Sequence, residues 1–260
     1  MGALILLLIL ILIISLRYNW WRIPQSNKRV RIIMYHSISE HIRKEKHNKW
    51  RVKPKDFDKQ MKWFYDNNWN SFTISELTKL DNIPEKSFVI TFDDGFEDNY
   101  INAFPILKKY GFKATIYLVP NEKTNQWEVK NTSVLSNLLN NQQILEMQDS
   151  GLIEFGSHTL SHVNLSKIND EQLSLELEKS KKEVENITKK ECEAFAYPYG
   201  KFDSKIVEFT KKAGYKNATV VKRGLFSHGD DIFTIKRIGI LGTESFFDFI
   251  LKITRIRNKL

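Results

Sequence analysis

Short apolar runs, most of them followed by a helical pattern, recur along this chain and constrain it to a largely parallel sheet. Residues 30–35, 88–92, 114–119, 194–197, 218–221 and 235–240 read as strands, with a strand-like run at 153–155 and a short one at 72–74. Helical spacing puts Phe57, Met61, Phe64 and Tyr65 on one face of a helix over 56–67. Further helices are predicted over 99–110, 142–150 and 170–189. The first closes at Gly111, with Pro105 marking its start or a kink, and the last has Asn169 as N-cap with Gln172 three residues on. Strands alternating with helices imply parallel pairing, and seven or eight strands suffice to close a barrel. The polar, Asn-rich stretch 120–141, with Trp127, reads as a surface excursion rather than a lid beside a site.

The residues that carry chemistry fall at strand ends. Thr91-Phe92-Asp93-Asp94-Gly95 closes one strand, and adjacent strand residues point to opposite faces, so two carboxylates there can take two roles. Ser157-His158-Thr159-Leu160-Ser161-His162 follows another, with two histidines four apart that share a face if the segment makes a helical turn. Alone, the first could be a solvated turn and the second an accident of spacing. Together, one Asp and two His form the usual ligand set of a catalytic divalent ion with an open position, and the remaining carboxylate can serve as base. His36, Asp93, Asp94, His158 and Pro198 all lie just past the C-terminal ends of strands, where barrels of this kind collect their active sites.

With these motifs, and with Ala196-Tyr197-Pro198-Tyr199-Gly200, the stretches 103–111 and 113–118, and the stretch 213–218, the chain resembles the polysaccharide deacetylase (NodB-homology, carbohydrate esterase 4) family from about residue 30 to about residue 250. The resemblance implies a distorted (β/α) barrel. It also implies Asp94, His158 and His162 as metal ligands, Asp93 as general base, and the backbone N–H of Tyr199, in a turn fixed by Pro198, as oxyanion donor. By ligand type zinc is the default, and cobalt or nickel would also suit.

Two departures from the family pattern matter. Relatives often carry the proton-donating His near the C-terminus, and this chain has none there. Instead Tyr35-His36 follows the first strand, as in a subgroup resembling poly-N-acetylglucosamine deacetylases, so His36 is expected to be the general acid. The Arg that often opens the third motif is Ala196 here, and Arg237 from a late strand is the candidate to replace it, the alternative being a surface or structural ion-pair residue. His41, His47 and His228 are expected to be solvated.

Residues 3–14 are continuously apolar and are followed by Arg17, Tyr18, Trp20 and Trp21. This suggests an uncleaved single-pass anchor over 1–21, a linker over 22–29 and a catalytic domain over 30–260, in preference to a cleaved signal peptide. Positive charge on the C-terminal side of that segment favours a cytoplasmic catalytic domain. The formal net charge of +9 is concentrated partly at the ends, in Arg17, Arg22, Lys28, Arg29 and Arg31 and again in Lys252, Arg255, Arg257 and Lys259. Such flanks favour an anionic membrane surface, and no nucleic-acid signature accompanies them. The single cysteine, Cys192, excludes an intrachain disulfide and reads as inert filling.

The expected activity is metal-dependent removal of acetyl from an N-acetylated amino sugar in an envelope glycan, lipopolysaccharide or lipid-linked saccharide. The alternatives are deformylation of a lipid-linked amino sugar and a catalytically inactive glycan-binding module on the same fold.

Overall fold

The computed structural model describes residues 1–18, 22–132 and 134–255. Its strands are β1 (Arg31–Tyr35), β2 (Ser37–Ile38), β3 (Arg51–Val52), β4 (Asn70–Phe72), β5 (Ser87–Phe92), β6 (Ala114–Leu118), β7 (Ile153–Ser157), β8 (Ala194–Ala196), β9 (Asn217–Thr219) and β10 (Ile238–Gly239). The helices are α1 (Gly2–Tyr18), α2 (Pro54–Asp66), α3 (Ile74–Thr78), α4 (Phe104–Tyr110), α5 (Asn141–Asp149), α6 (Asp170–Thr188), α7 (Ser204–Lys212) and α8 (Phe246–Arg255).

The main sheet runs β10-β1-β5-β6-β7-β8-β9, with every pairing parallel. β5 keeps one edge on β1 from Phe88 to Phe92. Its other edge is shared, with β4 along Ser87 to Val89 and β6 along Ile90 to Phe92. A parallel bridge from Thr219 to Ile235 lays the segment entering β10 against β9, while β10 itself pairs with β1 through Ile33 and Ile238. The ring thereby closes irregularly, in keeping with a (β/α) barrel. β2 and β3 form a separate two-stranded ribbon beside the C-terminal end of β1.

Strand residues are buried on both faces, as in a sheet covered by helices. Outside β5, α2 presents Phe57, Met61 and Phe64 to the core, and the Phe64 ring stacks on Phe88 with centroids 4.1 Å apart. Each such side chain, fully buried, contributes about 1.5–3 kcal/mol. Three predicted elements differ in detail. The short strand lies at 70–72, because Thr73 caps α3 through a reciprocal capping box with Glu76. The strand predicted at 235–240 pairs regularly only at Ile238–Gly239. The helix predicted over 99–110 opens with a wide π turn, Asn99–Ala103, before Pro105 sits in the first turn of α4.

The anchor expectation is corrected. α1 has 17 residues, about 26 Å at 1.5 Å per residue, against a hydrocarbon core of about 30 Å. No helix among the described residues is long and apolar enough to cross a membrane. The expected sidedness falls with it. Trp20 and Trp21 lie outside the described residues.

The basic flanks are also corrected, because much of this charge is internal structure. Arg31 is 1 % exposed. Its guanidinium donates to the carbonyls of Gln25, Ser26, Arg29 and Ile253 and lies 4.9 Å over the Trp69 ring. Burial, with Arg29 nearby, pushes it down to about 10. Arg255 donates to the carbonyl of Arg22, and Lys252, 2 % exposed, is held by Glu244 and the carbonyl of Gly239. Arg31 and Arg255 staple the 22–29 segment to α8, Lys252 ties α8 to the end of β10, and a charge held by buried carbonyls is withdrawn from any surface patch. Arg257 and Lys259 lie outside the described residues.

Candidate active site

Asp93 and Asp94 leave β5 into a sharp turn. The Asp93 N–H still donates to the carbonyl of Tyr35 at the end of β1 (3.0 Å), so the first acid stays in register with the sheet. Asp94 and Gly95 then both take left-handed φ, 74° and 70°. A Cβ at Gly95 would meet the left-handed φ as a strain and would also sit 2.9 Å from the tip of the Leu118 side chain, which would have to shift.

The first histidine is placed by the neighbouring strands. Its N–H donates to the carbonyl of Leu118 at 2.8 Å, and its ring Nδ1 lies 2.7 Å from the Ala196 carbonyl. A carbonyl can only accept, so Nδ1 of His158 carries the proton and Nε2 keeps its lone pair. The loop on to His162 is held from α6. Glu176 accepts from the N–H groups of Leu160 and Ser161, at 2.8 and 3.2 Å. His162 takes φ 54° and is held between two aromatic side chains. Trp127 stacks on it at 4.4 Å, Tyr199 meets it edge-on at 4.7 Å, and the Tyr199 hydroxyl lies 3.2 Å from Nδ1.

Nε2 of His162 is 3.2 Å, and Nε2 of His158 3.6 Å, from Oδ1 of Asp94. That oxygen is buried and accepts no well-formed hydrogen bond. In a tetrahedron with bonds of about 2.0–2.1 Å, neighbouring ligands lie about 3.3 Å apart. The observed separations bracket this value, and all three ligand atoms fall within 4.8 Å of one another. The buried Asp94–His158–His162 group can therefore hold a metal ion. Burial opposes charge on Asp94, but the close approach of the His162 imidazole, with His36 and His158 nearby, holds its carboxyl far below the usual carboxylate range. Burial pushes His158 down to about 4, which leaves its imidazole neutral near pH 7.

Asp93 is gripped by Arg237. Nη1 donates to Oδ1 at 2.6 Å and Nη2 to Oδ2 at 2.8 Å, a bidentate pair with both partners buried. The guanidinium also donates to Thr91 Oγ1 and the Val220 carbonyl and lies 5.8 Å over the Tyr117 ring. Burial raises the Asp93 carboxyl, but Arg237 and then His158 outweigh it and bring it below its ordinary value. His36, at the end of β1, packs against Trp50 with centroids 4.6 Å apart, and its buried Nδ1 has no partner among the described residues. Pro198 opens a 3₁₀ turn in which Tyr199 takes φ 57°. Left-handed conformations at Asp94, His162 and Tyr199 store strain that the surrounding contacts must hold.

A pocket of about 280 Å³ brings together His36, Asp93, Asp94, His158, His162 and Tyr199. Arg237 lies behind Asp93, not among the residues that line it. Two expectations fail here. His47 is not solvated, because it lines the pocket with Nε2 3.2 Å from Oε2 of Glu128; His41 lies 3.0 Å from the Arg51 carbonyl, while His228 is exposed. The 120–141 stretch is no mere surface excursion. Asn125 and Glu128 line the pocket, and Trp127 packs with Phe96, Val119 and Leu138 beside His162. Glu176, Trp50 and Trp127 had no local signal in sequence. Cys192 is buried and far from any such role.

A profile of the polysaccharide deacetylase family matches residues 81–218. YxkH of Bacillus subtilis (strain 168), assigned by name to the polysaccharide deacetylases, is 31% identical over 224 residues, 85% of this chain and 74% of that protein. Poly-beta-1,6-N-acetyl-D-glucosamine N-deacetylase of Staphylococcus aureus (strain MRSA252) is 29% identical over 249 residues, 92% of this chain and 82% of that protein. Among solved structures, BC0361, a polysaccharide deacetylase from Bacillus cereus, superposes with a TM-score of 0.74 at 32% identity, covering 88% of this chain and 69% of that one. The Streptococcus pyogenes deacetylase PplD in complex with acetate gives 0.75 at 26% identity, covering 86% and 98%. The chain belongs to the polysaccharide deacetylase family.

Proposed function

We propose that the protein is a metal-dependent N-deacetylase that hydrolyses the acetamide of an N-acetylated glucosamine unit in a glycan, releasing acetate and a free amine. The observation that carries this reading is the buried Asp94–His158–His162 group beside an Asp93 clamped by Arg237. The polymer named for the Staphylococcus aureus relative supports poly-β-1,6-N-acetylglucosamine as the first substrate to test.

Asp94, His158 and His162 would hold the ion, zinc by the N, N, O donor set, with cobalt or nickel as alternatives. Such an ion acidifies a bound water and polarises a carbonyl oxygen. Asp93, kept ionised by Arg237, takes the proton of the water as its oxygen attacks the acetyl carbon. Arg237 acts as a positioning residue, since it reaches the reaction only through Asp93. The N–H of Tyr199, in the turn opened by Pro198, is assigned to the oxyanion. As the C–N bond breaks, His36 delivers a proton to the leaving amine.

The test is metal analysis together with acetate release from poly-β-1,6-N-acetylglucosamine oligomers and formate release from an N-formylated amino sugar, for wild type and Asp93→Asn. Stoichiometric metal and acetate release that is abolished in the variant are expected. Formate release from an N-formylated sugar in preference to acetate would move the substrate class. Glycan binding with neither metal nor turnover would overturn the reading in favour of a binding module.

A further inference from the structure

We propose that Glu128, oriented by His47, is a specificity-determining subsite that accepts a hydrogen bond from one ring hydroxyl of the reacting sugar. This rests on the deacetylase reading above. None of the groups assigned to that reaction distinguishes a sugar from any other acetamide, because metal ligands, base and acid all address the amide. Selection must come from the rest of the pocket. Met34, Phe96 and Val221 give it apolar wall, and Trp50 adds an aromatic face.

Glu128 and His47 are the carboxylate and imidazole on that wall outside the reaction centre. They come from parts of the chain far apart in sequence and meet at 3.2 Å, with side chains only 21 % and 17 % exposed. Each sits on a short 3₁₀ turn, Gln126–Glu128 and Lys46–Trp50. Each turn is pinned to a catalytic imidazole by its tryptophan, Trp127 on His162 and Trp50 on His36. The pair is therefore held in fixed register with the reacting atoms. The contact from His47 and a longer one from Asn131 Nδ2, at 3.3 Å, both fall on Oε2 of Glu128. A carboxylate has about four acceptor positions, so capacity remains for a ligand hydroxyl.

A hydroxyl bound to a part-buried charged acceptor discriminates against its deoxy analogue by about ten- to a hundredfold. The experiment uses the metal-loaded full chain and a β-1,6-linked N-acetylglucosamine trimer, with a set of analogues each lacking one hydroxyl on the reacting unit. In wild type, one analogue should lose ten- to a hundredfold in kcat/KM. Glu128→Gln, which keeps only a neutral acceptor, should lose part of that factor on the parent trimer, mainly through KM, and less on that analogue. His47→Ala should narrow the gap between parent and that analogue, while its metal content is retained. If wild type turns the trimer over but every analogue suffers equally in wild type and Glu128→Gln, the pair merely ties two loops and the inference is wrong. If wild type releases no acetate from the trimer or from any other N-acetylated glycan, the deacetylase reading itself fails and the subsite falls with it.

Discussion

Arg237 holds both carboxylate oxygens of Asp93, at 2.6 and 2.8 Å, from a segment that enters the barrel only at its closing strand. A lysine cannot reproduce this fork, since it offers a point charge instead of two parallel donors. Arg237→Lys should lower kcat about 10²-fold with metal content intact, a factor typical of a misplaced reacting group. Arg237→Ala should in addition destabilise the fold by about 3–5 kcal/mol, because it leaves a buried carboxylate unpaired. Turnover, metal analysis and urea unfolding on both variants check this.

Metal removal should act on stability as well as turnover. A ligand bound only by the native state stabilises it by about 2.7 kcal/mol at a hundred times its Kd. A strong chelator should therefore lower the melting temperature of wild type and abolish acetate release. Asp94→Asn, which lacks the anionic ligand, should melt at the same temperature with or without chelator. A chelator response retained in that variant would place the ion elsewhere.

Gly156 in β7 should not tolerate a methyl group. A Cβ there would lie 2.6 Å from the Ala194 carbonyl oxygen and 2.7 Å from the Tyr117 ring. That ring underlies Arg237, so Gly156→Ala should cost about 1–3 kcal/mol from overpacking and also lower kcat through the Arg237–Asp93 pair. Thermal melts and single-substrate kinetics would separate the two effects.

Burial pushes the Cys192 thiol far above its ordinary value, so the native protein keeps it protonated where an unfolded chain would ionise it. The sign follows. The folded group is raised, so its stabilisation is complete below the unfolded value of about 8.5 and declines as pH climbs beyond it. Between pH 9 and 10 the unfolding free energy of wild type should fall, relative to Cys192→Ala, by about 1.4 kcal/mol per pH unit. Native thiol should also react with a thiol-specific reagent at least about a hundredfold more slowly than denatured chain.

Much of the catalytic geometry was legible because it is local. Asp93 and Asp94 close β5, and His158 closes β7, so strand-end logic located them without knowing the barrel. Arg237 could be suspected only because Ala196 stands where an arginine was expected. The partnership of His47 with Glu128 left no trace, since nothing in either turn announces the other. Trp127 was read as surface because its neighbours are polar, although its ring is covered by contact with His162. Arg31 and Lys252 misled for a related reason: a cation bound to buried carbonyls looks the same in sequence as one facing solvent. The anchor expectation rested on an apolar run whose helix has 17 residues.

The closing strand also sets a timetable. β1 needs β10 as its neighbour, and Arg31 at its start needs the carbonyl of Ile253. Arg237, which clamps Asp93, arrives on the same late segment. A nascent chain that has emerged only through β9 thus carries every proposed metal ligand but neither a closed ring nor the clamp on Asp93. The proposed metal ligands therefore leave the ribosome before the clamp on Asp93 does, and the proposed hydrolysis must wait until the last turn of the barrel has followed.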